Sequence, residues 1–149
     1  MSRLIYVIDG PNLHLLGTRR PEVQDRDTLA EVEHECRALA ATLDLQVVFH
    51  QSSLEGGLIE LIHDARTKAG GVIINAGAYA HTSIAIYDAL KILDVPIIEV
   101  RNSNIHQQEE FRHPSHISRV ASGVIVGCGT QGYQLGLRRM ARLLGNART

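Results

Sequence analysis

Nothing in this sequence is long and apolar enough to span a membrane, which takes about 20 predominantly apolar residues. Nor is there a pronounced charge of either sign. Fifteen Lys and Arg stand against 16 Asp and Glu, a formal net charge of -1 at pH 7. No nucleic-acid partner is therefore expected, because phosphate binding needs a clustered basic surface. The one Arg-rich stretch, LRRMARLLGNART, reads as the end of a helix with cations near the negative pole of its dipole. Cysteine is scarce: Cys36 and Cys128 form no metal or redox motif, and both are expected to be small buried residues. The opening MSRLIYVIDG has too short an apolar run for a signal peptide, so a cytoplasmic location is expected. Linkers, internal repeats and low-complexity segments are missing too, and residues 1–149 read as one domain.

What is present is a regular beat of short apolar runs: RLIYVI at 3–8, LQVVFH at 45–50, GVIIN at 71–75, PIIEV at 96–100 and GVIVG at 123–127. They are continuous rather than alternating, as parallel strands buried on both faces require. Helical patterns fill the gaps. Thr28 and Glu31 have capping-box spacing at the start of TLAEVEHECRALAATL, where Leu29, Val32, Cys36, Leu39, Ala40 and Leu43 make one apolar stripe. Further helices are expected at about 55–68, ended by Gly70-Gly71, at about 82–93, and at about 131–144. This order predicts an α/β fold, a flavodoxin-like doubly wound five-stranded parallel sheet with helices on both faces.

Two connections are long and polar: DGPNLHLLGTRRPEVQDRD after the first strand and RNSNIHQQEEFRHPSHISR after the fourth. The third strand also runs into polar residues, NAGAYAHTS. Long loops in compact domains are often lids or binding loops. In doubly wound sheets ligands bind at the carboxyl ends of the strands, so these three segments predict a single site.

Several familiar chemistries are excluded by their motifs. GCGTQG at 127–132 matches a dinucleotide fingerprint literally, but it follows the last strand with no βαβ unit after it. It reads as a tight strand-to-helix turn. His106, His113 and His116 match no zinc spacing, and there is no G-x-S-x-G nucleophile elbow. His34, His50 and His63 fall on regular elements, whereas His81 lies in a strand-to-helix loop. The remaining polar set is Asn12, Arg19, Asn75, His81, Ser103 and Arg112, which suits a small carboxylated polyol because arginine can grip a carboxylate with two bonds.

The segments DGPNLHLLGTRRPE, QSSLEG, IINAGAYAHTSIAIYDAL, IIEVRNSNIHQQEEFRH and GVIVGCGTQGY occur in an order and at a spacing that resemble the type II 3-dehydroquinate dehydratases. That resemblance covers nearly the whole chain. It implies trimers that usually form a dodecamer, no cofactor, and dehydration of 3-dehydroquinate to 3-dehydroshikimate through an enolate, in aromatic biosynthesis or quinate breakdown. It further implies that Arg19 activates a tyrosine base, that Asn12 holds a water on the enolate, and that Glu99 orients a histidine acid at the end of the fourth strand. Asn75, His81, Asn102 through its main chain, Ser103 and Arg112 would bind the carboxylate and hydroxyls, with Asp88 arriving from a neighbouring subunit.

The sequence departs from the family pattern at the two reacting positions. Gln24 stands where the family has its tyrosine, and no tyrosine lies between Tyr6 and Tyr79. Arg101 stands where the family has its histidine. Asp9 replaces a common asparagine, Gln108 a common arginine, and Ser53-Leu54 the usual Asn-His. Glutamine has no proton to exchange near neutral pH, and arginine, with a pKa above about 12, does not donate one. The expectation is an inactive or redirected relative that keeps a site for a small carboxylated polyol such as 3-dehydroquinate. Tyr87 or His106 as substitute groups in a working dehydratase, and a purely oligomeric or regulatory role, are the alternatives.

Overall fold

The computed structural model describes residues 2–17 and 27–145. Five strands, β1 (Leu4–Asp9), β2 (Gln46–Gln51), β3 (Gly71–Asn75), β4 (Ile97–Arg101) and β5 (Gly123–Val126), pair in parallel in the order β2-β1-β3-β4-β5. That is the flavodoxin-like order, and its switch point lies between β1 and β3. Four helices connect or follow them: α1 (Leu29–Thr42), α2 (Glu55–Lys68), α3 (Ile84–Lys91) and α4 (Gln131–Leu143).

The strands sort their side chains by alternation. In β1, Ile5 and Val7 join Val32 and Cys36 of α1 and Leu137 and Met140 of α4 in one core. Tyr6 and Ile8 turn to the other face and pack with Leu58 and Ile62 of α2 and Ile86 and Leu90 of α3. β1, β3 and β4 are buried almost throughout, and the edge strands β2 and β5 only partly. The continuous apolar runs are thus most continuous where both faces are covered.

Local signals set the element ends. Thr28 accepts a hydrogen bond from the Glu31 N–H at 3.2 Å and starts α1, as its spacing predicts. Ser83 does the same for α3 from Ile86 N–H. α3 therefore begins at Ile84 rather than at Thr82, because the preceding Gly77–His81 segment is a separate 3-10 turn. α2 stops at Lys68 as expected, but the reason for Gly70 is a close approach: a β-carbon there would lie 1.9 Å from the Ser2 carbonyl oxygen.

Two expectations need correction. Cys36 is fully buried, but Cys128 is exposed, because it belongs to the turn after β5 rather than to the strand. β4 is shifted by one residue: Pro96 lies before it and Arg101 is its last member, bridged in register to Val126. Proline lacks the N–H that a central strand needs. Arg101 is consequently part of the sheet.

Candidate functional site

The carboxyl ends of β1, β3 and β4 open into one cavity of about 730 Å³. The loop after β1 supplies Asn12, Leu13, Leu15 and Leu16 to its lining; β3 and its following turn supply Asn75 and Gly77. Arg101, Asn102, Ser103 and Asn104 come from β4, and Gln107, Gln108 and Arg112 from the loop beyond it. Gly127, Gly129 and Thr130 complete the lining. Asn12 sits in the left-handed region at φ 71°, where asparagine is tolerated better than most residues, and precedes the 3-10 turn Leu13–Leu15.

The floor is a buried polar chain. Asp9 and Asn75 are register partners on β1 and β3, and Tyr133 of α4 reaches between them. The Tyr133 hydroxyl donates to Asp9 Oδ1 at 2.7 Å and accepts from Asn75 Nδ2 at 3.2 Å. Asp9 Oδ2 is buried and has no hydrogen-bond partner among the described residues. Burial pushes the Asp9 carboxyl up to about 7, with the Tyr133 bond pulling the other way, and burial beside Asp9 drives Tyr133 well above the ordinary phenol range. The Asn75 amide can only donate to the hydroxyl, and this fixes the direction of the chain toward Asp9. Asn75 turns its amide group to Tyr133, and its carbonyl accepts from Gly77 N–H at 3.3 Å.

One wall is built around Arg101. Its guanidinium donates to the Gly77 carbonyl at 2.6 Å and lies 3.4 Å from His81 Nε2. His81 Nδ1 is 2.9 Å from the Pro114 carbonyl, so Nδ1 carries the proton and Nε2 accepts from Arg101. Burial, and then the charges of Arg101 and Arg112 against the opposing Pro114 bond, hold His81 below the usual histidine range. Burial also lowers Arg101, which Glu99 opposes and Arg112 reinforces. Glu99, on the same face of β4, has no direct bond to Arg101 among the described contacts. Its carboxylate accepts hydroxyls from Ser115, at 2.6 Å, and from Ser118. Glu99 therefore acts on Arg101 only through space, because the two serines reach the carboxylate first.

The entrance is lightly tied. Gln108 Nε2 donates to Ser103 Oγ at 3.1 Å, and Arg112 pairs with Glu109 at 3.0 Å. Both ties are exposed, and such pairs are worth about 0–1 kcal/mol.

Of the residues expected to form a site, Asn12, Asn75, Arg101, Asn102, Ser103 and Arg112 meet in this cavity. His81 sits behind Arg101 with its outward nitrogen occupied, and Glu99 lies fully buried beneath. Asp88 is exposed on α3 and does not line the cavity. Arg19 and Gln24 lie outside the described residues. Neither Tyr87 nor His106 lines the cavity: Tyr87 lies under the Lys91 ammonium, and the His106 ring is 5.7 Å from that of His113.

Among the described residues, no three His, Cys, Asp or Glu side chains gather as metal ligands, and no helix is long and apolar enough to cross a membrane. The glycines of GCGTQG serve a turn, with φ of 83° at Gly127 and 61° at Gly129. That the same turn borders the cavity was missed, and its place after a strand end was the available signal. Chemically, the described lining offers amides, hydroxyls and two guanidinium groups, and the one carboxyl moved toward neutral pH, that of Asp9, lies buried beneath it.

Against known proteins, the family described as Dehydroquinase class II matches residues 3–141. The 3-dehydroquinate dehydratase of Methylobacterium radiotolerans is 50% identical over 143 residues, 96% of each chain. That of Marinomonas sp. is 52% identical over 145 residues, covering 94% of this chain and 97% of the relative. The crystal structure of type II dehydroquinase from Propionibacterium acnes superposes with a TM-score of 0.90 at 39% identity, over 95% of this chain and 98% of the other.

Proposed function

Because the chain belongs to the class II dehydroquinase family, we propose that it descends from a 3-dehydroquinate dehydratase and keeps that site as a binding pocket without the dehydration chemistry. One observation supports this reading: Arg101 ends β4 and lines the cavity, at the position where the resemblance puts the family's proton donor, and no His, Cys, Tyr, Asp or Glu stands in the described lining. With Gln24 at the position of the base, two acid–base groups are gone, each typically worth about 10²–10⁴-fold in rate. In this reading Asn12, Asn75, Asn102, Ser103 and Arg112 hold the carboxylate and hydroxyls of a small carboxylated polyol. Binding displaces the exposed Gln108 and Glu109 side chains from Ser103 and Arg112. His81 is not released, because its Nε2 is committed to a buried guanidinium.

The single-domain chain works without a cofactor, as trimers within a dodecamer, and the exposed Asp88 reaches a neighbour's pocket from α3. Whether the pathway is aromatic biosynthesis or quinate breakdown, the pocket's chemistry is the same.

The identity of about half the residues with proteins named 3-dehydroquinate dehydratase favours a second reading, a working dehydratase with substitute groups. One assay separates the two. Purified protein is incubated with 3-dehydroquinate while the conjugated enone absorbance of the product is followed, and melting is measured with and without quinate. No turnover together with a raised melting temperature supports the pocket reading. Turnover near the ordinary enzyme median of about 10 s⁻¹ sinks it.

A further inference from the structure

Resting on the pocket reading, we propose that Arg101 and Arg112 together seat a second anionic group, so that the site selects a small dianionic acid over a monoanion of similar size. The geometry starts with Arg101. A guanidinium has five N–H donors. Of these, the structure engages one with the Gly77 carbonyl and one with His81 Nε2. Both acceptors are neutral. The residue is only 9% exposed and still lines the cavity, which brings the guanidinium within reach of a bound anion.

Charge compensation is the second argument. A buried charge needs a partner of opposite sign, and among the described residues none is bonded to Arg101. Glu99 is the nearest acid on the same strand face, but its oxygens are taken by Ser115 and Ser118. Glu109 holds Arg112 from an exposed position, with 60% of its side chain accessible. No acidic side chain among the described residues lines the cavity. Arg101 and His81 each feel the positive charge of Arg112, which places the two guanidinium groups in one field. An anion arriving there is attracted to both and grips Arg101 through paired N–H donors.

The third argument is room. Asn102 and Ser103 form a separate polar group that can take a first carboxylate, and the cavity of about 730 Å³ exceeds what one small ring requires. A carboxylate and a phosphate share the chemistry the seat recognises, so the ligand class is defined by its second negative charge.

Calorimetric titration of the full-length protein tests the seat with matched probes. Cyclohexanecarboxylate supplies one charge, cis-cyclohexane-1,3-dicarboxylate two, and cyclohexanecarboxylate bearing a ring phosphate distinguishes the second kind of anion; quinate serves as the polyol reference. The expected result is that a dianion binds about tenfold or more tighter than the monocarboxylate, the range of a charge-assisted bond. In Arg101→Gln the ratio should fall to about one. Should that buried substitution unfold the protein, Arg112→Gln on the exposed lid reads the same ratio, which should drop at least about threefold. Equal affinities in the unaltered protein, no binding of either probe at millimolar concentration, or a preference that survives both substitutions would overturn the seat. Dehydratase turnover sinks the non-catalytic reading by itself and leaves this ratio to be read separately.

Discussion

The floor and the wall of the cavity both bury an ionisable group, and they handle it in opposite ways. Beneath the floor, Asp9 has one hydroxyl from Tyr133 and one bare oxygen, and its carboxyl responds by moving up to about 7, where it can be neutral. In the wall, Arg101 has no such retreat, since a guanidinium stays charged over the whole working range. It is given a carbonyl and an imidazole instead, and the nearest carboxylate is occupied elsewhere. A buried acid can solve its problem by taking a proton. A buried arginine has to be answered by its surroundings or by a ligand.

The largest effect is expected from making the wall titratable. Gln24→Tyr combined with Arg101→His should raise dehydration of 3-dehydroquinate from background by about 10⁴-fold or more, read by enone absorbance. A double variant that is folded, binds quinate and remains dead would overturn the role the proposed reading gives these two positions.

Next comes the floor. Between 3.8, the ordinary value for aspartate, and about 7, the native protein keeps a proton on Asp9 that the unfolded chain has lost. This group's contribution therefore falls as pH rises through that window and is level above it. Asp9→Asn removes the titration and should stabilise the protein at pH 8 by roughly 2–4 kcal/mol, with no gain at pH 3. Denaturant midpoints at the two pH values check this. An equal shift at both would mean that packing rather than ionisation separates the side chains. Cys36 also faces Asp9 from α1, but its thiol is pushed up to about 12, largely by burial, and stays neutral throughout.

Tyr133→Phe cuts the floor in the middle. It leaves Asp9 Oδ1 without a donor and Asn75 Nδ2 without its buried acceptor. The expected loss is about 1–3 kcal/mol of unfolding free energy, and it should shrink in an Asp9→Leu background, where the acid no longer needs the hydroxyl. The smallest effect belongs to the entrance. Glu109→Gln breaks an exposed pair and should change stability by less than about 0.5 kcal/mol, while improving the affinity of an anionic ligand for Arg112.

Most of the architecture is legible in the sequence, because it rests on local pattern. The strand runs, the Thr28 cap and the α2 boundaries depend on neighbours in sequence. The site was legible at the level of which strand ends converge: six expected residues meet in the cavity. Its internal bonding was not legible. Arg101 reaches His81 across 20 positions and Asp9 reaches Tyr133 across 124, and nothing in spacing announces either. Cys128 was misplaced for a related reason. An apolar run marks a strand, but its last residue is decided by the backbone turn that follows, here the left-handed Gly127. The loop holding Arg19 and Gln24 lies outside the described residues.

The pair of serines beneath Glu99 has a consequence for how the protein opens. Ser115 and Ser118 stand at the far end of the long connection after β4, and their hydroxyls hold its base to the middle of that strand. Residues 103–113 thus form a flap between Asn102, whose carbonyl accepts from Gly129 N–H, and a latch made by the Pro114 carbonyl on His81 and by Ser115. Its short turns expose most of their side chains, whereas Ile117 beside the latch is fully buried. Amide exchange should therefore divide at the latch: the flap opens alone and exchanges early, and protection beyond Ile117 is surrendered with the sheet.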